Sequence, residues 1–99
     1  MQEYKPILTP RAISEIQKAV DYYNGQLHGL GKRFYQDFKK QVKAISTNPF
    51  SRAVRYNDIR FAVLDKFPYA AHYTIIDKNI VILAVLSMYQ DPQSNWVNY

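Results

Sequence analysis

The hydrophobic rhythm of this chain changes at Asn48-Pro49, and that change limits the folds open to it. Before it, apolar residues recur at Ala12, Ile13, Ile16, Ala19, Val20, Tyr23 and Leu27, then at Leu30, Phe34, Phe38, Val42 and Ile45. Both series keep a helical period, so each describes the apolar stripe of an amphipathic helix. Thr9-Pro10 starts the first, with a hydroxyl for the N-cap and a proline whose fixed φ suits the first helical position. Asn24-Gly25 and Gly29-Leu30-Gly31 stop it and turn the chain. Asn48-Pro49 ends the second, because the residue before a proline is driven out of the helical region. Two helices joined this closely form an antiparallel hairpin.

After Pro49 the pattern is strand and turn. Residues 53–56 and 59–64 flank Asn57-Asp58, a pair suited to a two-residue hairpin. Pro68 separates them from residues 70–76, and Asp77-Lys78-Asn79 turns the chain into residues 80–86. That last run is apolar throughout. It is expected to be buried on both faces and central in its sheet, with helices over one face. Residues 4–8 read as a short first strand that Pro6 restricts to an edge or a strand beginning, able to pair beside the last run. The expected fold is α+β: an N-terminal strand and an antiparallel two-helix hairpin packed on a mostly antiparallel sheet of about four to five strands.

At 99 residues the chain is expected to be a single domain, 1–99. Cysteine is absent, which removes disulfides, thiolate metal sites and cysteine nucleophiles. His28 and His72 are the only imidazoles, too few for a histidine-rich metal cage. Gly29-Leu30-Gly31 lacks both the strand before a phosphate loop and the Lys-Ser/Thr after it. No metal or cofactor is expected. No apolar run approaches the roughly 18 residues of a membrane span. Residues 1–5 offer no apolar core of a signal peptide, so the expected location is the cytoplasm.

Lys and Arg number 13 against 8 Asp and Glu, a formal charge of +5 that favours acidic or polyanionic partners. An enzyme built from this inventory would rely on Arg, Lys, Tyr and at most one His, a set suited to phosphodiesters. RNA would bring its own nucleophile in the 2′-hydroxyl. Lys32, Lys39, Lys40 and Lys43 line the outer side of the second helix and read as a solvated face. Arg52, Arg55, Arg60 and Lys66 fall on or beside the sheet, near Tyr56, Tyr69 and Tyr73 in sequence. Basic residues interleaved with aromatics make a single-strand nucleic-acid surface, and equally make the ordinary covering of an open sheet face. His72 reads as a structural sheet histidine, and Trp96 as a packing anchor or part of a partner-binding surface.

Asp21-Tyr22-Tyr23-Asn24 followed by Gly29-Leu30-Gly31-Lys32-Arg33-Phe34 resembles the helical hairpin of the bacterial RelE/ParE toxin superfamily. Asn48-Pro49 stands where that family ends its second helix. Arg55-Tyr56, Ile59-Arg60, Lys66-Phe67-Pro68-Tyr69 and Tyr73 resemble its first sheet strands. Ile82-Leu83-Ala84-Val85-Leu86 and then Asp91-Pro92 resemble its last strand and exit. The likeness runs over residues 4–96 and is strongest to the plasmid-stabilisation, ParE-like branch.

The resemblance implies a toxin of a type II toxin–antitoxin pair, held inactive by a cognate antitoxin, in a heteromeric complex or as a homodimer. ParE-like members inhibit DNA gyrase and need no nuclease site. RelE-like members cut messenger RNA on the ribosome. Many relatives carry a His after the last strand and an Arg just before Asp-Pro, where this chain has Ser87 and Gln90. Under the nuclease reading Arg60 and Tyr89 are the catalytic candidates, and Arg52, Arg55 and Lys66 the nucleic-acid contacts. The leading expectation is a ParE-like toxin that binds a protein target. The alternatives are a ribosome-dependent mRNA endonuclease and a degenerate, non-toxic member.

Overall fold

A short strand, β1 (Lys5–Leu8), leads into two helices, α1 (Pro10–Gln26) and α2 (Leu30–Thr47). A single 3-10 turn (Pro49–Ser51) follows, then β2 (Val54–Tyr56), β3 (Ile59–Val63), β4 (Tyr69–Ile76) and β5 (Asn79–Ser87). This is the computed structural model of the chain, and it describes residues 3–89 and 97.

Local chemistry sets the helix ends. Thr9 is extended, and its Oγ1 accepts the Ala12 amide at 3.1 Å while donating to the Leu83 carbonyl at 3.1 Å. The cap that starts α1 therefore also ties it to β5. α2 has no side-chain cap; it follows Gly29, whose φ of 85° is left-handed, where glycine carries no Cβ penalty. Gly31 serves a different need. A Cβ there would lie 2.5 Å from the Val20 carbonyl oxygen, so only glycine lets the two helices approach this closely. Its amide is taken up by Asn24 Oδ1 at 2.9 Å.

The sheet runs β1-β5-β4-β3-β2, with β1 parallel to β5 and every other pair antiparallel. Asn57 and Asp58 take φ of 43° and 62°, the left-handed pair that a type I′ hairpin requires. The β4–β5 turn is one residue shorter than the expected Asp77-Lys78-Asn79, because Asn79 already pairs with Ile76.

Both helices pack on one face of the sheet. The main core gathers Ile16, Phe34, Phe38, Ile45, Tyr73, Ile80, Ile82 and Val85. A register shift between His72 and Tyr73 places Leu83 opposite the step between them, so that His72 pairs with Ala84 and Tyr73 with Ile82. This bulge reverses the alternation of β5. Ile80 and Ile82 face the helices before it and Val85 after it, while Leu83 joins a second cluster with Ile59, Phe61 and Ala70.

Three expectations need correction. Residues 80–86 lie inside the sheet, but Val81 and Leu83 are only half-buried, because neither α1 nor α2 covers their face. Ile13 belongs to the apolar series of α1 yet is 55% exposed, on the flank turned away from the sheet. Leu27 caps α1 from outside the helix and is exposed.

Candidate functional site

The basic residues that looked like one group are dispersed by the register. Arg60 pairs with Tyr73 and so faces the helices. Its guanidinium donates to the Arg52 carbonyl and lies 5.3 Å from the Phe50 ring centroid. Tyr73 is fully buried, its hydroxyl donating to the Pro49 carbonyl at 2.8 Å. Arg60 thus braces the 3-10 turn against the sheet. Arg52 turns to α2, with Nη1 on Ser51 Oγ at 2.8 Å and Nη2 near Gln41 Oε1 at 3.4 Å.

Lys66 belongs to the β3–β4 connection. Asp37 organises that connection: its two carboxylate oxygens accept the amides of Asp65 at 3.1 Å and Lys66 at 2.8 Å. Lys40 pairs with Asp65 at 2.9 Å, which lowers the Asp65 pKa and raises that of Lys40. A groove of about 710 Å³ opens here between Arg33, Asp37, Lys40, Lys66 and Phe67. Its mixture of charges recognises neither sign strongly.

Arg55 alone of the four lies on the open face, 4.8 Å from the Phe61 ring centroid. Phe61 is tilted on His72 with centroids 4.1 Å apart, and Tyr56 meets both rings edge-on. His72 is 2% exposed, and its Nδ1 lies 2.9 Å from the Tyr56 hydroxyl. Burial, reinforced by the charges of Arg11 and Arg55, lowers its pKa to about 4. The ring is neutral at physiological pH.

Tyr89 lies just beyond β5, 86% exposed, its amide on Ser87 Oγ at 3.2 Å. The level of Arg60 on β4 is Tyr73 and that of Ser87 is Tyr69. Four residues of strand and two strand spacings separate them, on the order of 16 Å. Arg60 and Tyr89 are not brought together. Trp96 and Gln90 lie outside the described residues.

An aromatic group closes the end of the hairpin. Tyr23 stacks on Phe34 at 5.6 Å, and Phe67 and Tyr69 meet Phe34 edge-on at 5.3 and 5.0 Å. Burial raises the pKa of Tyr23, Tyr56, Tyr69 and Tyr73. A phenol shifted that way keeps its proton and is a poor general base. Among the described residues no group of three His, Asp or Glu side chains could hold a metal ion.

The outer side of the hairpin is grooved. One hollow of about 480 Å³ lies among Leu8, Ile13, Val20, Lys32 and Tyr35, and another of about 420 Å³ among Leu8, Tyr35, Val42, Lys39 and Lys43. Leu8 and Tyr35 are common to both, so together they form an apolar track rimmed by lysines.

Sequence reasoning missed the polar side chains that tie distant segments of the chain together. Asp37 and Gln41 are buried within the α2 stripe, beside Phe34, Phe38 and Ile45. A polar residue inside an apolar stripe was the available signal. Glu15 gave none: its Oε1 accepts the Val85 amide at 2.9 Å across 70 residues, while Oε2 holds Arg11 at 3.2 Å. That bond covers the part of β5 left bare where β1 ends.

The family model described as ParE toxin of type II toxin-antitoxin system, parDE, matches residues 7–92. The chain belongs to the ParE toxin family. A solved structure titled as the chromosomal ParDE TA system from P. aeruginosa is similar to this ParE-family chain, with a TM-score of 0.76 at 21% identity. The match covers 86% of this chain and 96% of that one. At that identity the likeness speaks for the fold: the same strand, hairpin and five-stranded sheet. No curated protein matches the chain in sequence. No helix among the described residues is long and apolar enough to cross a membrane. In this ParE-family chain Ser87 closes β5 by accepting the Tyr89 amide on its Oγ.

Proposed function

We propose that this chain is the toxin of a type II toxin–antitoxin pair that arrests growth by binding a protein target such as DNA gyrase. The cytoplasm is where it would act. The observation that carries this reading is the dispersal of the groups a nuclease would have to assemble. Arg60 is engaged beneath the 3-10 turn, Tyr89 follows Ser87, whose place in the sheet is roughly 16 Å from that of Arg60, and His72 is buried and neutral. Proton transfer at a phosphodiester needs an acid and a base within hydrogen-bond reach of one reacting centre. Membership of the ParE family supports the same choice.

A cognate antitoxin completes the proposal. The lysine-rimmed track over Leu8, Ile13, Val20 and Tyr35 fits an amphipathic segment with apolar anchors and acidic flanks. Charge complementarity there would speed its capture.

Induced expression of the chain alone, with supercoiling and transcript integrity read in the same cultures, tests the target. Growth arrest with a supercoiling defect and intact messenger RNA is expected. Ribosome-positioned cuts that vanish in Arg60→Ala or Tyr89→Phe would overturn the reading in favour of the nuclease. An absence of arrest in a host carrying a sensitive gyrase would favour a non-toxic member.

A further inference from the structure

Tyr22 is 58% exposed and meets Tyr23 edge-on, with ring centroids 5.1 Å apart. Tyr23 meets Phe67 at 4.8 Å and Tyr69 at 6.0 Å in the same way. Tyr22 and Tyr69 line a hollow of about 310 Å³ with Lys18, while Tyr23 and Phe67 line the groove of about 710 Å³ with Arg33 and Lys66. The tyrosines thus form a ridge between two hollows. Rings that pair apolar area with a hydroxyl are the usual anchors of a protein interface. The charges beside the ridge are unevenly committed. Of the carboxylates lining the hollows, Glu15 holds the Val85 amide and Arg11, Asp37 holds the amides of Asp65 and Lys66, and Asp65 holds Lys40. Asp21, next to Tyr22 in sequence, accepts from Gln17 at 2.9 Å. Lys18, Arg33 and Lys66 are exposed, and no carboxylate among the described residues pairs with them. Neither hollow carries a field that would steer a partner from a distance, so recognition there is by contact.

We propose that the Tyr22, Tyr23 and Tyr69 ridge grips the protein target, taking an apolar or aromatic side chain of an acidic segment whose carboxylates reach Arg33 and Lys66 on one side and Lys18 on the other. A phosphodiester chain suits the site less well, because it would pass Glu15, Asp37 and Asp65 along the same hollows. The track assigned to the antitoxin shares no lining residue with either hollow. The proposal deepens the toxin reading, and rests on it only in calling the partner a target.

Titration of the full chain, followed by amide chemical shifts, tests the surface without a known target. The probes are an acetylated, amidated tetrapeptide Asp-Trp-Leu-Glu, its counterpart Lys-Trp-Leu-Lys and a thymidine octanucleotide. Saturable shifts from the acidic peptide are expected at Tyr22, Arg33, Lys66 and Tyr69 and not at Tyr35 or Lys39, with the basic peptide at least tenfold weaker. Arg33→Glu and Tyr22→Ala, both changes at exposed positions, should each weaken the acidic peptide at least threefold, and Ile13→Ala on the antitoxin track should leave it within twofold. Shifts centred on Leu8 and Tyr35, equal binding of the two peptides, or no saturable shift would overturn the proposal. Tighter binding of the octanucleotide at the same residues would also overturn it, by giving the ridge to nucleic acid. Induced expression then separates the surface from the toxin reading. Arg33→Glu and Tyr22→Ala should need at least tenfold more protein for the same growth arrest, and arrest unchanged in both would overturn the ridge as the target surface. Peptide binding at the ridge by a chain that never arrests growth would refute the toxin reading and, with it, the naming of the partner as a target.

Discussion

The helix-covered face of the sheet and its open face bury side chains by different means. On the covered face Ile16, Phe34, Phe38, Ile45, Tyr73, Ile80 and Ile82 come from both helices and two strands and pack as one body. On the open face Ile59, Phe61 and Ala70 form a small cluster, and much of its order passes through single polar links at Tyr56 and His72. Packing spread over many residues makes a fold robust to the identity of any one surface group. Order that depends on a few hydrogen bonds is local and conditional. The covered face therefore accounts for this being a ParE-like fold, and the open face is where members of one fold can differ in chemistry.

The largest test of this contrast is truncation of one aromatic on each face. Phe34→Ala removes a fully buried ring stacked on Tyr23 and is expected to cost about 4 kcal/mol. Phe61→Ala, at a ring that is 7% exposed and belongs to the smaller cluster, should cost about 3 kcal/mol. Denaturant unfolding of the two variants measures both, and equal losses would break the comparison.

Next in size is a pH dependence peculiar to the open face. The pKa of His72 lies near 4 in the folded chain, below the ordinary 6.5. Between those values the unfolded chain takes up a proton that the folded one refuses. Stability is therefore full above pH 6.5 and falls as pH drops, by about 3 kcal/mol once pH is below 4. Unfolding midpoints in that window should show the slope in the native chain and lose most of it in His72→Gln. The same slope in both would place the titrating group elsewhere.

Asp37→Ala comes third, at about 2 kcal/mol, since it strips two amides of the β3–β4 connection of a charged acceptor. Amide exchange should quicken at Asp65 and Lys66 before anywhere else. The smallest effect belongs to Lys40→Ala. Its pair with Asp65 is exposed to water, and the unfolding midpoint should not move measurably. A clear shift there would mean that the groove beside Asp37 is tighter than its geometry suggests.

What could be read in the sequence follows the range of the interaction. Thr9-Pro10, the two apolar stripes and Asn57-Asp58 act over a few residues, and the structure has a helix start, two helices and a type I′ turn at those places. The α+β arrangement follows from them, because the hairpin has only one layer to pack on. The sides taken by Arg55 and Arg60 were not legible. They are separated by a hairpin turn and sorted by strand register, and the β5 bulge beside them has no local marker. Glu15 was silent for the same reason, its partner lying 70 residues away, and Asp37, marked as a polar residue inside an apolar stripe, gave no sign of partners 28 and 29 residues away. For the candidate site, the sequence supplied the residue types but not their dispersal.

The parallel pairing of β1 with β5, Lys5 beside Asn79 and Leu8 beside Ile82, also orders events in time. The helical hairpin can form from local contacts alone, but its apolar faces have nothing to close on until the far end of the chain has been synthesised. The first strand emerges from the ribosome and waits for the last. A message translated only as far as β4 would thus yield a sheet without its β1–β5 pairing, so the complete fold appears only once β5 has been synthesised.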